Sequence, residues 1–518
     1  MRLCSVFAAA VMITLTAFSQ SGSINNTIGS SGSFTVKDGS TTFLSVAGLT
    51  GEVHIANYLS FPETVDNSTG VIYISGLAFL HDFHASGTDG YNTFVGQRAG
   101  NFTMGSVNYS EASNNTGVGY WALGGLTTGY ENAAFGSTAL WFTTTGFRNA
   151  AFGSSSMGLN TTGYDNAALG YNSLGTNSSG SENTAAGAMA LYENTTGSYN
   201  SAFGSQSLHA CTAGTNNAAF GYNALGNVNG SYNSAFGSLA LTTSYSTAQY
   251  NSAFGYQSLT SNTTGTSNSA FGSQSLYSAT TSSGNTAIGS SSLHSATDGY
   301  SNTAVGVSAL YGNTTGDYNT ALGYLSGGNI TTGNYNATVG YLAGSGISTG
   351  SNNICIGYSA QVPTGTDSNQ VRIGNPFITY AGIQVAWSIT SDRRWKSNIN
   401  QSDLGLEFVS RLNPVSYTRK NDTRRRSEYG FIAQEVEEVL KQAGVRNSGM
   451  VTVDDEGRYE LRYNDLMAPI VKAIQELKVQ NDALRAENNL MRERLSALER
   501  KSSVEPKGVN SSHSFSER

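Results

Sequence analysis

The chain is expected to be mainly β: a parallel β-solenoid or β-roll shaft, homotrimeric, then a small α+β domain ending in a coiled-coil helix. Three observations predict this. A five-residue motif, Asn-small-Ala-apolar-Gly, recurs with a period of 17, and a fixed short period marks a solenoid rather than a globular core. Glycine is abundant (61) and proline scarce (6), so short strands joined by glycine turns fit and helix pairs do not. Charge is partitioned: 22 of the 27 Lys+Arg and 20 of the 34 Asp+Glu lie in 391–518.

Residues 1–20 read as a secretory leader. Arg2 gives the positive start, and Val6 to Phe18 is an apolar run too short to span a bilayer. No later segment has the ~20 apolar residues of a membrane helix, so the expected location is secreted or cell surface, with no transmembrane segment. Residues 21–91 lack the period but keep a Gly/Ser/Thr-rich composition, which predicts an N-terminal β-rich cap.

The repeat occupies 92–360. Its Asn falls at 132, 149, 166, 183, 200 and 217, then after steps of 16 and 18 at 233 and 251, then at 268, 285, 302, 319, 336 and 353; outlying copies start at Asn92 and Asn115. Strand alternation predicts that Ala134, Ala151, Ala168, Ala219 and Ala235 share one face and Phe135, Phe152, Phe220 and Phe236 the other. Asn at one register predicts stacked amide ladders, each side-chain carbonyl accepting from the next coil. Sixteen units at the ~4.8 Å strand spacing make a rod of about 75 Å. One such coil looks thin, with open edges, so three chains side by side are expected to bury both faces. The region resembles the heads of trimeric surface adhesins, whose Asn/Ala/Gly repeats form a parallel β-roll.

Within 92–360 there is no Lys and only Arg98 and Arg148. Phosphate contacts need such residues, so nucleic acid is not an expected partner. Tyr130, Tyr164, Tyr199 and Tyr232, just before motif Asn residues, are candidate glycan contacts or packing groups. Cys211 and Cys355 stand 144 residues apart among units that touch only near neighbours, so they read as small buried hydrophobes rather than a disulfide. Nothing has metal-ligand spacing, and no cofactor is expected.

After a connector at 361–390 the composition changes. Leu404–Val409 begins an amphipathic segment, Asn413-Pro414-Val415-Ser416-Tyr417 reads as a strand, and Gly430-Phe431-Ile432-Ala433-Gln434-Glu435-Val436 leads into a helix through about Ala443. Val451–Val453 and Tyr459–Leu461 flank Asp454-Asp455-Glu456-Gly457, a hairpin signal in which the acidic run reads as turn chemistry before a cation site. In the final helix (463–500), Met467, Ile474, Asn481, Asn488 and Leu495 fall at heptad a, and Ile470, Leu477, Leu484, Met491 and Leu498 at d. Asn at a lowers stability but fixes register and oligomer state; packing of this helix within its own domain is the alternative. Residues 501–518, rich in Ser, Asn and charge, read as a disordered tail.

Four ordered motifs, Ser391-Asp392-x-Arg394-x-Lys396, Asn413-Pro414-Val415-x-Tyr417, Gly430 to Val436, and Tyr463-x-Asp465-Leu466 before a long helix, resemble the intramolecular chaperone domain of phage endosialidase tailspikes. Lys441-Gln442 departs from the proline common in that family. The resemblance implies self-cleavage between Thr390 and Ser391, with Ser391 as nucleophile and Lys396 as general base. The chemistry is consistent: a serine needs a base, the only His after 391 is His513, and Ser-Lys is a known variant of triad logic. A lysine serves only when desolvation or a nearby cation lowers its pKa, and Arg393, Arg394 and Trp395 are candidates for both effects. No role for Asp392 emerges.

The combined expectation is a secreted homotrimeric fibre, adhesin-like, whose C-terminal domain drives assembly and then releases itself by autoproteolysis. In-register pairing of repeats that can slip by 17 residues is slow, which a C-terminal clamp would correct. Two alternatives stay open: a non-cleaving adhesin with a permanent clamp, and a glycan-degrading tailspike-like enzyme. The latter needs a carboxylate pair among Glu111, Glu131, Asp165, Glu182, Glu193, Asp298 and Asp317.

Overall fold

The computed structural model describes residues 61–503 apart from 106–107 and 244–245, and three strands before residue 61. The leader expected at 1–20, and the tail from 504 on, lie outside the described residues. A first unit, Met1–Val71, contains an antiparallel meander of Ser33–Asp38, Thr41–Ala47 and Val53–Ile55. The second, Ile72–Arg518, holds the repeat and the charged domain. No helix among the described residues is long and apolar enough to cross a membrane.

The repeat is a β-solenoid of about 15 turns. Each coil contributes one three-residue strand, from Thr93–Val95 to Val371–Ile373, paired in parallel with its sequence neighbours. The register never slips: Ala134 pairs Ala151, which pairs Ala168. At the N-terminal end the hairpin Ile72–Ile74/Leu77–His81 adds antiparallel to the first coil. There Phe94 fills the inward position, with the His81 ring 4.9 Å away. The ladder also runs past residue 360. Gln370 stands 17 residues after Asn353, and its backbone N–H donates to Asn353 Oδ1 at 2.9 Å.

The Ala positions are buried and the Phe positions face outward in columns: Phe135 stacks on Phe152 at 4.9 Å and Phe220 on Phe236 at 4.5 Å. The amide ladder runs on the buried side, two residues before the inward Ala. Asn132 donates its backbone N–H (3.0 Å) and its Nδ2 (3.1 Å) to Asn115 Oδ1, and its own Oδ1 accepts the same pair from Asn149. A second Nδ2 bond reaches Gly146 O at 2.9 Å. A Cβ on Gly146 would lie 2.5 Å from Gly163 O, so only glycine lets the turns stack this closely.

The coil is thicker than expected: one chain closes its own inner face, while Phe135 and Phe152 on the outer face stay exposed. In most coils a Ser-Leu or Ala-Leu pair follows the motif, such as Ala139-Leu140 and Ser173-Leu174, and its Leu turns inward: Leu140, Leu174, Leu208, Leu241 and Leu276 have no solvent exposure. It does so through a left-handed backbone, φ 51° at Leu140, which costs an ordinary residue roughly 1–2 kcal/mol. Hydrogen bonding to the adjoining coil offsets this, Leu140 N–H donating to Ser156 O at 3.0 Å. Cys211 and Cys355 occupy inner columns and are free. Cys355 pairs with Thr338 in the Ala column. Cys211 continues a second Asn column, in which Asn177 donates to Asn160, and Asn194 to Asn177, at 2.7 Å.

The charged domain packs α1 (Leu406–Arg411), α2 (Ala433–Gln442) and the start of α3 (Met467–Ser502) around Leu404, Phe408, Val436, Leu440, Met450 and Leu466. Two antiparallel pairs, Val415–Tyr417 with Glu428–Gly430 and Val451–Val453 with Tyr459–Leu461, complete it. Its motifs meet in space. Tyr463 Oη accepts from Phe431 N–H at 3.1 Å, and a Cβ on Gly430 would sit 2.2 Å from that oxygen. Glu476 of α3 accepts from Leu406 N–H at 2.7 Å, a carboxylate at the start of α1.

Candidate active site

Residues 391–396 form a tight loop. Arg393–Trp395 is one turn of 3-10 helix, closed by Trp395 N–H to Asp392 O and Lys396 N–H to Arg393 O, both 3.1 Å. Asp392 is its cap. Its Oδ1 accepts from Arg394 N–H at 2.8 Å, satisfying a donor that the turn leaves free. Its other oxygen pairs with the Arg394 guanidinium at 2.6 Å. The Arg394 side chain and backbone N–H hold the Asp392 carboxyl below the usual carboxylate range, and Asp392 in turn raises Arg394. The turn brings residues five apart together: Lys396 Nζ donates to Ser391 Oγ at 2.7 Å. Thr390 precedes them outside any helix or strand.

The setting differs from the sequence expectation in two respects. Arg394 is not a free cation beside Lys396, because Asp392 neutralises it. Trp395 does not desolvate the lysine, since it is 82% exposed. In a single chain the pair stands in water. So does the segment leading to it, which forms no strand, and where Ile383, Val385, Trp387 and Ile389 alternate with small or polar residues and are all exposed. That period of two is a sequence signal for a half-buried strand which the connector assignment passed over.

The final helix repeats the pattern. Its domain contacts bury Pro469 and Ala473, which are neither a nor d positions. The heptad residues Met467, Ile474, Leu477, Leu484, Met491, Leu495 and Leu498 are each at least half exposed. Apart from Ile470, which is 38% exposed, the domain therefore leaves the apolar a/d residues open.

The other candidates are dispersed along the shaft. Tyr130 and Tyr164 sandwich Phe147 at 4.9 Å in one column. Tyr199 and Tyr232 sit one register later, directly before their Asn, so the four do not form one row. The shaft carboxylates engage neighbouring coils: Asp165 pairs with Arg148 at 2.7 Å, Asp298 accepts from the Thr281 hydroxyl, and Asp317 accepts from Tyr300 N–H at 2.9 Å. Asp454 is a turn residue, accepting from Glu456 N–H, Arg458 N–H and Arg458 Nε at 2.7–3.0 Å. Among the described residues no cluster of His, Cys, Asp and Glu could hold a metal ion.

Residues 391–445 match the model of a peptidase family described as chaperone of endosialidase. The match begins at Ser391 and lies after the repeat-rich β region. No curated protein and no solved structure matches the chain.

Proposed function

We propose that this protein is an exported trimeric fibre, secreted or held at a cell surface, whose C-terminal domain aligns three shafts and then cuts its own chain between Thr390 and Ser391. The observation that carries the reading is the 2.7 Å contact of Lys396 Nζ with Ser391 Oγ, set by a capped turn at the first residue of the family match. With the amine neutral, the same geometry lets Nζ take the Ser391 hydroxyl proton. Oγ then attacks the Thr390 carbonyl carbon, and the Ser391 nitrogen leaves with the proton from Lys396. The resulting ester is hydrolysed by water, giving a Thr390 carboxylate and a free Ser391 amine.

Assembly supplies what the lone chain lacks. Joining the exposed α3 seams as a coiled coil brings three copies of the 383–396 segment close together. Covering its apolar side chains excludes water from Lys396, which favours the neutral amine. Cutting is thereby tied to completed trimerisation. Intact mass on the wild-type chain beside Ser391→Ala and Lys396→Ala tests the reading. Two wild-type fragments joining at 390/391, with both variants uncut, are expected. A folded, trimeric wild type of full length would leave the domain a permanent clamp and overturn the cleavage step.

A further inference from the structure

The inward column of the shaft ends on a charge. The middle strand position, filled by Ala304, Ala321, Thr338 and Cys355 in successive coils, is taken in the last coil by Arg372, the register partner of Cys355. A guanidinium at the end of an apolar column needs an anion. The shaft does not supply it. Arg372 pairs with Glu460, on the second strand of the Val451–Val453/Tyr459–Leu461 hairpin of the C-terminal domain.

The turn of that hairpin makes a second contact. Asp454 is buried and rigidifies the turn through the three bonds described above, which presents Asp455 to the shaft. Asp455 N–H donates to Pro363 O at 2.8 Å, and its Oδ2 accepts from Gly365 N–H at 3.0 Å. Gly365 is itself part of the ladder, its carbonyl accepting from Ser348 N–H (3.0 Å) and Gly350 N–H (3.1 Å). The loop between Tyr417 and Glu428 adds Asn421 Nδ2 to Pro376 O at 2.9 Å and Arg426 to Thr379 O at 3.1 Å. Every shaft partner lies at 363–379 and every domain partner at 421–460, so hydrolysis of the 390/391 bond breaks none of these contacts.

We propose that this hairpin is the C-terminal cap of the solenoid, and that it keeps the cut domain docked on the last coil, so that cleavage and departure are separate events. The docking partner after the cut is the shaft itself, recognised by Arg372 and by the Gly365 amide and Pro363 carbonyl. Solenoid ends need caps, and charge-assisted bonds at a half-buried site are stronger than exposed ones. The retention step rests on the proposed cleavage; the capping contact does not.

The test uses the full chain. A denaturing gel reads the cut, and size exclusion under native conditions at about 0.15 M salt reads whether the pieces stay together. Wild-type fragments are expected to co-elute. Asp455→Ala combined with Glu460→Ala is expected to be cut normally but to lose the domain at least about tenfold faster. Glu460→Arg should do the same, and adding Arg372→Glu should restore co-elution. Wild-type fragments that part on cutting, or double-variant fragments that stay together as long as wild type, overturn the proposal. If the chain does not cut itself, a site-specific protease sequence replacing Val385–Ile389 in the Ser391→Ala chain supplies the break. The same two readouts then judge the cap independently of the cleavage reading.

Discussion

Asn183→Asp tests whether the amide ladder holds the coils. Asn183 is fully buried, donates Nδ2 to Asn166 Oδ1 (3.1 Å) and to Gly197 O (2.9 Å), and accepts at Oδ1 from Asn200 N–H and Nδ2. Aspartate keeps shape and acceptor but loses both side-chain donors, placing a carboxylate oxygen against two carbonyl oxygens. Two lost bonds at ~1 kcal/mol each, with the unsatisfied acceptors they leave, come to about 3–5 kcal/mol when the side chain is ionised. Burial among acceptors raises its folded pKa above the unfolded value of about 3.9. The penalty is therefore smallest below that value, where the protonated carboxyl donates one bond again, and complete once pH exceeds the raised folded pKa. Repeat arrays open locally, so the assay is hydrogen exchange over peptides in 166–217, corrected for intrinsic rates, between about pH 4 and 8. Exposed Asn216→Asp, the control, should stay within ~0.5 kcal/mol. Protection equal to wild type at pH 7, or loss that does not ease in acid, would refute the argument that ladder donors bind coil to coil.

Three further outcomes follow from the same structure. Gly146→Ala places a methyl 2.5 Å from Gly163 O and should cost about 1–3 kcal/mol, read as faster exchange in that coil and its neighbours. Burial pushes the Cys211 thiol up to about 11, so an alkylating reagent at pH 8 should leave it unlabelled in the native protein and modify it on denaturation. Leu477→Asp with Leu484→Asp, both exposed in the lone chain, should leave the monomer folded by circular dichroism. Sedimentation should show the trimer lost, and intact mass the chain uncut; trimers persisting in this variant would remove α3 from the assembly step.

Much of the shaft was legible because its sequence signal is repeated. Seventeen-residue spacing located the strands, the inward Ala and the Asn ladder, since each occupies a fixed place in the coil. The inward Leu was not legible: left-handed φ at leucine runs against its intrinsic preference, and only bonds from the next coil make it tolerable. The last coil was missed because Gln370 and Arg372 replace Asn and Ala, although the spacing from Asn353 lands on Gln370. At the candidate site the Ser391 and Lys396 positions were readable from motif order. Asp392 was not, because capping depends on a backbone turn that spacing alone does not specify. The expected role of Arg394 failed for a related reason: a sequence shows a cation but not the carboxylate that folds against it.

The unbroken register of the coils has a consequence for how such a chain can vary. A coil contacts only the one before and the one after, and presents both with the same amide, methyl and glycine. Duplicating or deleting one whole 17-residue period leaves every remaining neighbour with an equivalent partner and changes the shaft by one strand spacing, about 4.8 Å. An insertion of any other size must be absorbed in a turn, as the 16- and 18-residue steps around Asn233 are. Shaft length is thus a counting variable, adjustable in uniform increments without redesign of either end.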